Sequence, residues 1–314
     1  MNIALLGVSH WHSGMHADAV RHAGATIGAV WDWDPDCAAR FAAAQDTIAV
    51  RSLEAALVPR PDLVVVMGHP AHVPSLAETV ISAGLPMLLE KPAASDTATL
   101  EHIAEQARQA HLFVAVPLAN RLSPALVDLT GPVAHAHFRI VNGPPQRYRD
   151  DGVGWVLDPA IGGGGALRNL GIHGIDCALS HGQGPLRIIS ASVARRMHAS
   201  ELVEDHALVV LADAADALFT IEAGYTAPNL SAGGDFEWRT ATSGRYCIDQ
   251  GAQVTTLQAD GEGQLPPLLP AHRYRAFLAD TLARLESGRP PMVTLDDYVA
   301  AMRLIDAIYE RVAS

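Results

Sequence analysis

Short apolar runs alternate with alanine-rich segments over the first 120 residues, and this rhythm leaves few folds open. Residues 3–6, 26–31, 63–67, 87–89 and 112–116 are apolar and short, as buried parallel strands are. Between them, residues 16–23, 36–44 and 75–83 have a helix-forming composition. Gly24 and Gly84 stand just after two of these stretches, where helices end in left-handed glycines. Strand–helix alternation of this kind predicts a doubly wound parallel sheet with right-handed crossovers, a Rossmann-type α/β domain.

Past residue 120 the rhythm changes. Residues 133–141, 187–195, 206–212, 217–225 and 236–241 read as longer, partly alternating strands with few helices between them. They predict an α+β domain with a mostly antiparallel open sheet. A hairpin is expected at 213–216, functional loops at 143–154 and 162–165, and a linker at 258–270. Residues 296–312 form a helix on periodicity: Tyr298, Met302, Ile305, Tyr309 and Val312 share one face. The expected division is residues 1–120 for nucleotide binding and 121–314 for substrate binding and oligomerisation. The last helix is then available to pack back on the first domain.

The net charge of −12 argues against nucleic acid or an anionic membrane as partner. Three widely spaced cysteines, Cys37, Cys177 and Cys247, give neither a disulfide framework nor a metal spacing. They point to a reducing compartment, the cytoplasm. The opening residues 1–6 lack a basic region and read as a first strand, not a signal peptide. No apolar run is long enough to span a membrane.

A dinucleotide-binding turn has the pattern Gly-x-Gly-x-x-Gly after the first strand. Here Gly7 keeps its place, while Ser9 and His12 occupy the other two positions. Ser9 is small enough to admit a phosphate. Helix N-terminal amides remain to bind it, with His10 and Trp11 alongside. Asp32 ends the second apolar run, where an acid bonds the ribose hydroxyls and repels a 2′-phosphate, so NAD is expected in preference to NADP. Asp32 and Asp34 also suit a helix cap ahead of Pro35. His12 and His16 have the i, i+4 spacing of metal ligands, but no acid or cysteine cluster accompanies them in sequence, and no metal is assigned. Lys91, in Leu88-Leu89-Glu90-Lys91-Pro92, follows a buried strand, and lysine is costly to bury unless paired or used.

Together with residues 163–176, Gly-Gly-Gly-Ala-Leu-Arg-Asn-Leu-Gly-Ile-His-Gly-Ile-Asp, that run resembles the glucose–fructose oxidoreductase and inositol dehydrogenase family (Gfo/Idh/MocA). The resemblance covers nearly the whole chain. Glu90-Lys91-Pro92 matches the family's E-K-P motif. Residues 64–72 resemble its T-P-N segment, with His69 and Ala71 replacing Thr and Asn around Pro70, and His72 following. Asn120-Arg121 matches the pair that closes the nucleotide domain. Residues 155–176 resemble its W-x-x-D-P through G-x-H-x-x-D segment, with Asn169 where many members have aspartate.

The resemblance implies a nicotinamide-dependent oxidoreductase acting on a secondary alcohol or ketone of a sugar or polyol. Lys91 would hold the reacting oxygen, His173 would move the proton and Asn169 would fix a neighbouring hydroxyl. Trp155, Asp158 and Arg168 are the other expected substrate contacts. Gly7, Ser9, His10, Trp11, His12, Asp32, His69, Pro70, His72, Glu90 and Lys91 are the expected cofactor contacts. Two other readings stay open: an NAD-assisted lyase or glycosidase, and a non-catalytic cofactor-binding sensor. A partly apolar sheet face along 133–141 and 217–225 predicts a homodimer or homotetramer.

Overall fold

The structure, a computed structural model, describes residues 1–127, 129, 131–228 and 234–313. It divides into two compact units, Met1–Pro117 with Tyr274–Val299, and Leu118–Arg273 with Ala300–Ser314.

The first unit holds a parallel sheet of five strands: β1 (Asn2–Leu6), β2 (Thr26–Trp31), β3 (Leu63–Val66), β4 (Met87–Leu89) and β5 (Val114–Ala115). Their order is β2-β1-β3-β4-β5, so the chain reverses its winding direction beside β1. Every residue of β3 is fully buried, which is why this strand reads as an unbroken apolar run. The helices are α1 (Ser13–His22), α2 (Pro35–Ala44), α3 (Leu53–Ala56), α4 (Val73–Ser82) and α5 (Thr97–Gln109). Asp34 caps α2 by accepting the Asp36 N–H at 2.9 Å, and Asp96 caps α5 through the Thr99 N–H at 2.8 Å. Gly24 and Gly84 have φ of +69° and +63° and end their helices as expected.

The second unit is built on eight strands: β6 (His135–Val141), β7 (Arg187–Ala194), β8 (His206–Ala212), β9 (Leu218–Gly224), β10 (Asp235–Ala241), β11 (Tyr246–Asp249), β12 (Val254–Gln258) and β13 (Gly261–Gln264). Their order is β13-β12-β11-β10-β6-β9-β8-β7. The pairing is antiparallel except for β6 with β9. The expected hairpin lies between β8 and β9, where the Asp213 carboxylate accepts the Ala215 and Ala217 N–H groups at 2.8 and 2.9 Å. The expected linker at 258–270 is instead partly strand. β13 is an exposed edge strand of glycine and polar residues, held by its backbone ladder to β12, so no apolar alternation announces it.

One face of this sheet is apolar and carries Phe138, Phe219, Ile221 and Trp238. Against it lie a π-helical turn (Leu167–Gly171) and α8 (Ile172–His181), which follow the short helices α6 (Gln146–Asp150) and α7 (Pro159–Gly162). Gly174 makes this close approach feasible: a Cβ there would stand 2.8 Å from that of Phe138. The opposite face is charged where the sequence analysis expected it partly apolar. His135, His137 and Arg139 of β6 stand beside Glu222 of β9 and Glu237 and Arg239 of β10. Leu208, Leu218 and Leu257 are among its exposed apolar residues, at 42%, 46% and 42%.

Two long helices complete the chain, α9 (Pro270–Glu286) and α10 (Leu295–Ala313). Among the described residues, no helix is long and apolar enough to cross a membrane.

Candidate active site

In the first unit the residues expected to bind the cofactor gather at the carboxyl ends of β1, β2, β3 and β4. Gly7 has φ +79°, and a Cβ there would fall 1.8 Å from the carbonyl oxygen of Met67, so only glycine fits the turn. Ser9 is exposed, and its backbone N–H donates to Asp32 Oδ2 at 2.7 Å. Asp32 Oδ1 accepts the Asp34 N–H at 2.9 Å. The helix cap is Asp34; Asp32 braces the glycine turn at the end of β2 and keeps lone pairs for a ribose.

His12 occupies the position of the third glycine and precedes α1 directly. Its imidazole turns inward, with Nδ1 2.6 Å from Glu90 Oε1. The Tyr274 hydroxyl donates to the same oxygen at 2.7 Å, and His16 Nε2 lies 3.4 Å from it. The other oxygen, Glu90 Oε2, accepts the Lys91 N–H at 2.6 Å. Burial alone would raise the Glu90 pKa, but the contacts from His12 and His16 outweigh it and hold it well below the carboxylate range. Burial lowers the pKa of His12.

Lys91 is only 4% exposed, and burial lowers its pKa, with Glu90 opposing. Its ammonium lies 5.8 Å from the ring centre of Trp11. His69, Pro70 and His72 lead into α4. His69 Nδ1 accepts the Ala71 N–H at 3.2 Å, and His72 lies 5.3 Å from the ring of Trp33. Tyr274, which sequence reasoning missed, arrives on a helix with no motif of its own.

In the second unit the glycine run is held by Glu204. Its carboxylate accepts the Gly165 N–H at 3.0 Å, the Leu167 N–H at 3.0 Å and the Tyr309 hydroxyl at 2.7 Å. The π-helical turn begins there and carries Arg168 and Asn169; such turns recur at functional sites. Asn169 Nδ2 donates to the hydroxyls of Tyr148 and Tyr225 at 3.2 and 3.1 Å. Burial raises the pKa of both phenols. His173 opens α8 and is half-buried. Asp176, one turn on, gives both oxygens to Arg121, at 2.9 and 2.5 Å.

The remaining expected substrate residues are structurally employed. Arg168 is 7% exposed and pairs with Asp306 at 2.6 Å. Asp158 caps α7 through the Ala160 N–H at 2.9 Å. Trp155 is half-buried on the turn before it. Glu204 and Tyr225 were not singled out in the sequence; an isolated acid and a strand-end tyrosine carry no pattern.

Residues 1–118 match the family profile described as an oxidoreductase family with an NAD-binding Rossmann fold, and residues 129–251 match the GFO/IDH/MocA C-terminal domain. Among proteins of curated function, no sequence matches the chain. Solved structures share the fold. UDP-N-acetylglucosamine 3-dehydrogenase from Acidithiobacillus ferrooxidans has a TM-score of 0.81 at 19% identity, covering 99% of this chain and 97% of that one. An oxidoreductase from Agrobacterium radiobacter in complex with NAD+, L-tartaric acid and magnesium has a TM-score of 0.82 at 18% identity, covering 100% and 96%. Levoglucosan dehydrogenase, in complex with NADH and levoglucosan, has a TM-score of 0.85 at 16% identity, covering 100% and 97%. The glycine turn braced by Asp32 is in keeping with these matches, and the chain belongs to the GFO/IDH/MocA family as an NAD-dependent oxidoreductase.

Proposed function

We propose that the chain interconverts a secondary alcohol and a ketone of a sugar or polyol. The bound nicotinamide supplies hydride transfer. The carrying observation is the burial of Lys91 beside Glu90. A lysine kept from water, with a carboxylate next to it in the chain that favours its charged form, is poised to donate to the reacting oxygen and stabilise charge there. His173, with an imidazole suited to neutral pH, takes or returns the hydroxyl proton. Asn169 orients the Tyr148 hydroxyl, which meets a neighbouring substrate hydroxyl. Two of the structural relatives, the UDP-N-acetylglucosamine and levoglucosan dehydrogenases, support a carbohydrate substrate. A homodimer or homotetramer through the open sheet face completes the proposal.

The test is turnover of a sugar and polyol panel with NAD, read as NADH. Lys91→Ala and His173→Ala should each lose roughly two orders of magnitude in kcat while NAD affinity is kept. Near-normal turnover in both variants would overturn the assignment.

A further inference from the structure

The imidazole of His10 is 3% exposed and stacks on Trp11, with ring centres 4.1 Å apart and planes at 23°. Its Nδ1 accepts the backbone N–H of His12 at 3.2 Å. An imidazole that accepts at Nδ1 and is neutral carries its proton on Nε2. Burial favours the neutral ring, lowering the pKa well below its usual 6.5. Yet Nε2 is buried and, among the described residues, has no hydrogen-bond partner. Leaving such a donor unsatisfied is costly, and an orphan of this kind asks for an acceptor that arrives with a ligand.

A metal ion is the obvious alternative occupant. Ligating atoms of His10, His12 and Glu90 all lie within 4.8 Å of one another. The tautomer argues against it, because a protonated Nε2 has no lone pair for a metal. Glu90 is also already engaged by the Lys91 N–H, the Tyr274 hydroxyl and His12. His10 is therefore a donor awaiting an oxygen.

The sheet order says which part of the cofactor brings that oxygen. A dinucleotide lies across the carboxyl ends of a doubly wound sheet at the point where the winding reverses. Asp32 ends β2, on one side of β1, and marks the adenosine ribose. Glu90 and Lys91 follow β4, on the other side of β1, and His10 clusters with them. We propose that His10 Nε2–H donates a hydrogen bond to the carboxamide oxygen of the bound nicotinamide, fixing which face of the ring is presented. The assignment rests on NAD lying with its ribose at Asp32.

The experiment compares NAD with ADP-ribose, which has every part of the cofactor except the nicotinamide, by calorimetric titration of the whole chain. His10→Phe keeps a ring against Trp11 and removes the donor; His10→Gln returns an N–H near the same place. His10→Phe should weaken NAD binding about five- to tenfold, the range of one hydrogen bond. ADP-ribose affinity should stay within about twofold, and His10→Gln should recover part of the loss. Equal loss for both ligands, or no loss for NAD, overturns the proposal. So does zinc that raises the melting temperature of the wild type but not of His10→Phe. Wild-type protein gives a second measurement should His10→Phe fail to fold. In it, the imidazole 15N signal missing from His10→Gln should report an Nε2–H tautomer whose proton shifts with NAD but not with ADP-ribose; the opposite tautomer refutes the reasoning. Failure of ADP-ribose to bind the wild type would count against the Asp32 binding mode instead.

Discussion

Replacing Glu204 tests how the second unit holds its π-helical turn. The carboxylate accepts two backbone N–H groups of the glycine run and the Tyr309 hydroxyl, at 3.0, 3.0 and 2.7 Å. Hydrogen bonds to a charged acceptor contribute about 1.5–3 kcal/mol each. Glu204 is half-buried, so water replaces part of what is lost, and Glu204→Ala should cost roughly 3–5 kcal/mol. Glu204→Gln can keep its carbonyl oxygen on Leu167, Tyr309 and, at 3.1 Å, Gly165, but puts an NH2 where the second oxygen accepted from the Gly165 N–H. It should cost about half as much. At roughly 2–4 °C per kcal/mol for a unit of this size, the alanine variant should melt about 10 °C lower. The assay is differential scanning calorimetry on both variants, with NAD titration and kcat alongside. NAD affinity should hold, because the residues proposed to bind it lie in the first unit, while kcat should fall as Asn169 and His173, the proposed substrate-side residues, lose their anchor. An alanine variant melting within about 2 °C of wild type, or a glutamine variant as unstable as alanine, would refute the reasoning.

The other expectations concern cofactor choice, acid stability and assembly. Asp32→Ser removes the charge that repels a 2′-phosphate, so the NAD-over-NADP preference should narrow in paired titrations; an unchanged ratio counts against Asp32 as the ribose acid. Burial lowers the pKa of His10 and His12 in the folded state. The unfolded chain binds protons at these rings once pH falls below about 6.5, while the folded chain does not until lower pH, so stability should fall as pH drops, by at most about 1.4 kcal/mol per pH unit per ring. Urea midpoints that stay flat or rise between pH 7 and pH 5, or an unchanged slope in His10→Phe, would contradict this. For assembly, Arg139→Glu should shift the mass by light scattering towards monomer, since Arg139 centres the charged sheet face with Glu222 and Asp235. A wild type that is monomeric at micromolar concentration would remove the interface.

Most of the first unit is legible in the sequence because burial on both faces leaves β1, β3 and β4 as apolar runs, while the edge strand β2 is buried on alternate residues Ile27 and Ala29. The second sheet is legible only where one face is buried. β8 matches its sequence span, residues 206–212, because alternate residues Ala207, Val209 and Leu211 are fully buried. β13 has no buried side and no pattern. Lys91, His173 and Asn169 are candidates because of short motifs. The residues that hold them have no such motif: Glu204 acts from 39 positions beyond Gly165, and Tyr274 from 184 beyond Glu90. Side-chain contacts of that separation leave no local periodicity to read.

The departures from the dinucleotide pattern at Ser9 and His12 make sense as a rewired charge balance. A glycine at position 12 would leave Glu90 without the imidazole that stands 2.6 Å away. Buried at 1% exposure, that carboxylate would then protonate more readily, and a neutral Glu90 would no longer support the ammonium of Lys91. His12 and Tyr274 instead supply hydrogen bonds to one carboxylate oxygen, while the Lys91 backbone takes the other. The His12 and Tyr274 donors to that oxygen are neutral at physiological pH, because burial lowers the pKa of His12 and raises that of Tyr274. They stabilise the negative charge of Glu90 without cancelling it. The charge stays available to the buried ammonium of Lys91, which the proposed chemistry needs charged until a substrate oxygen arrives.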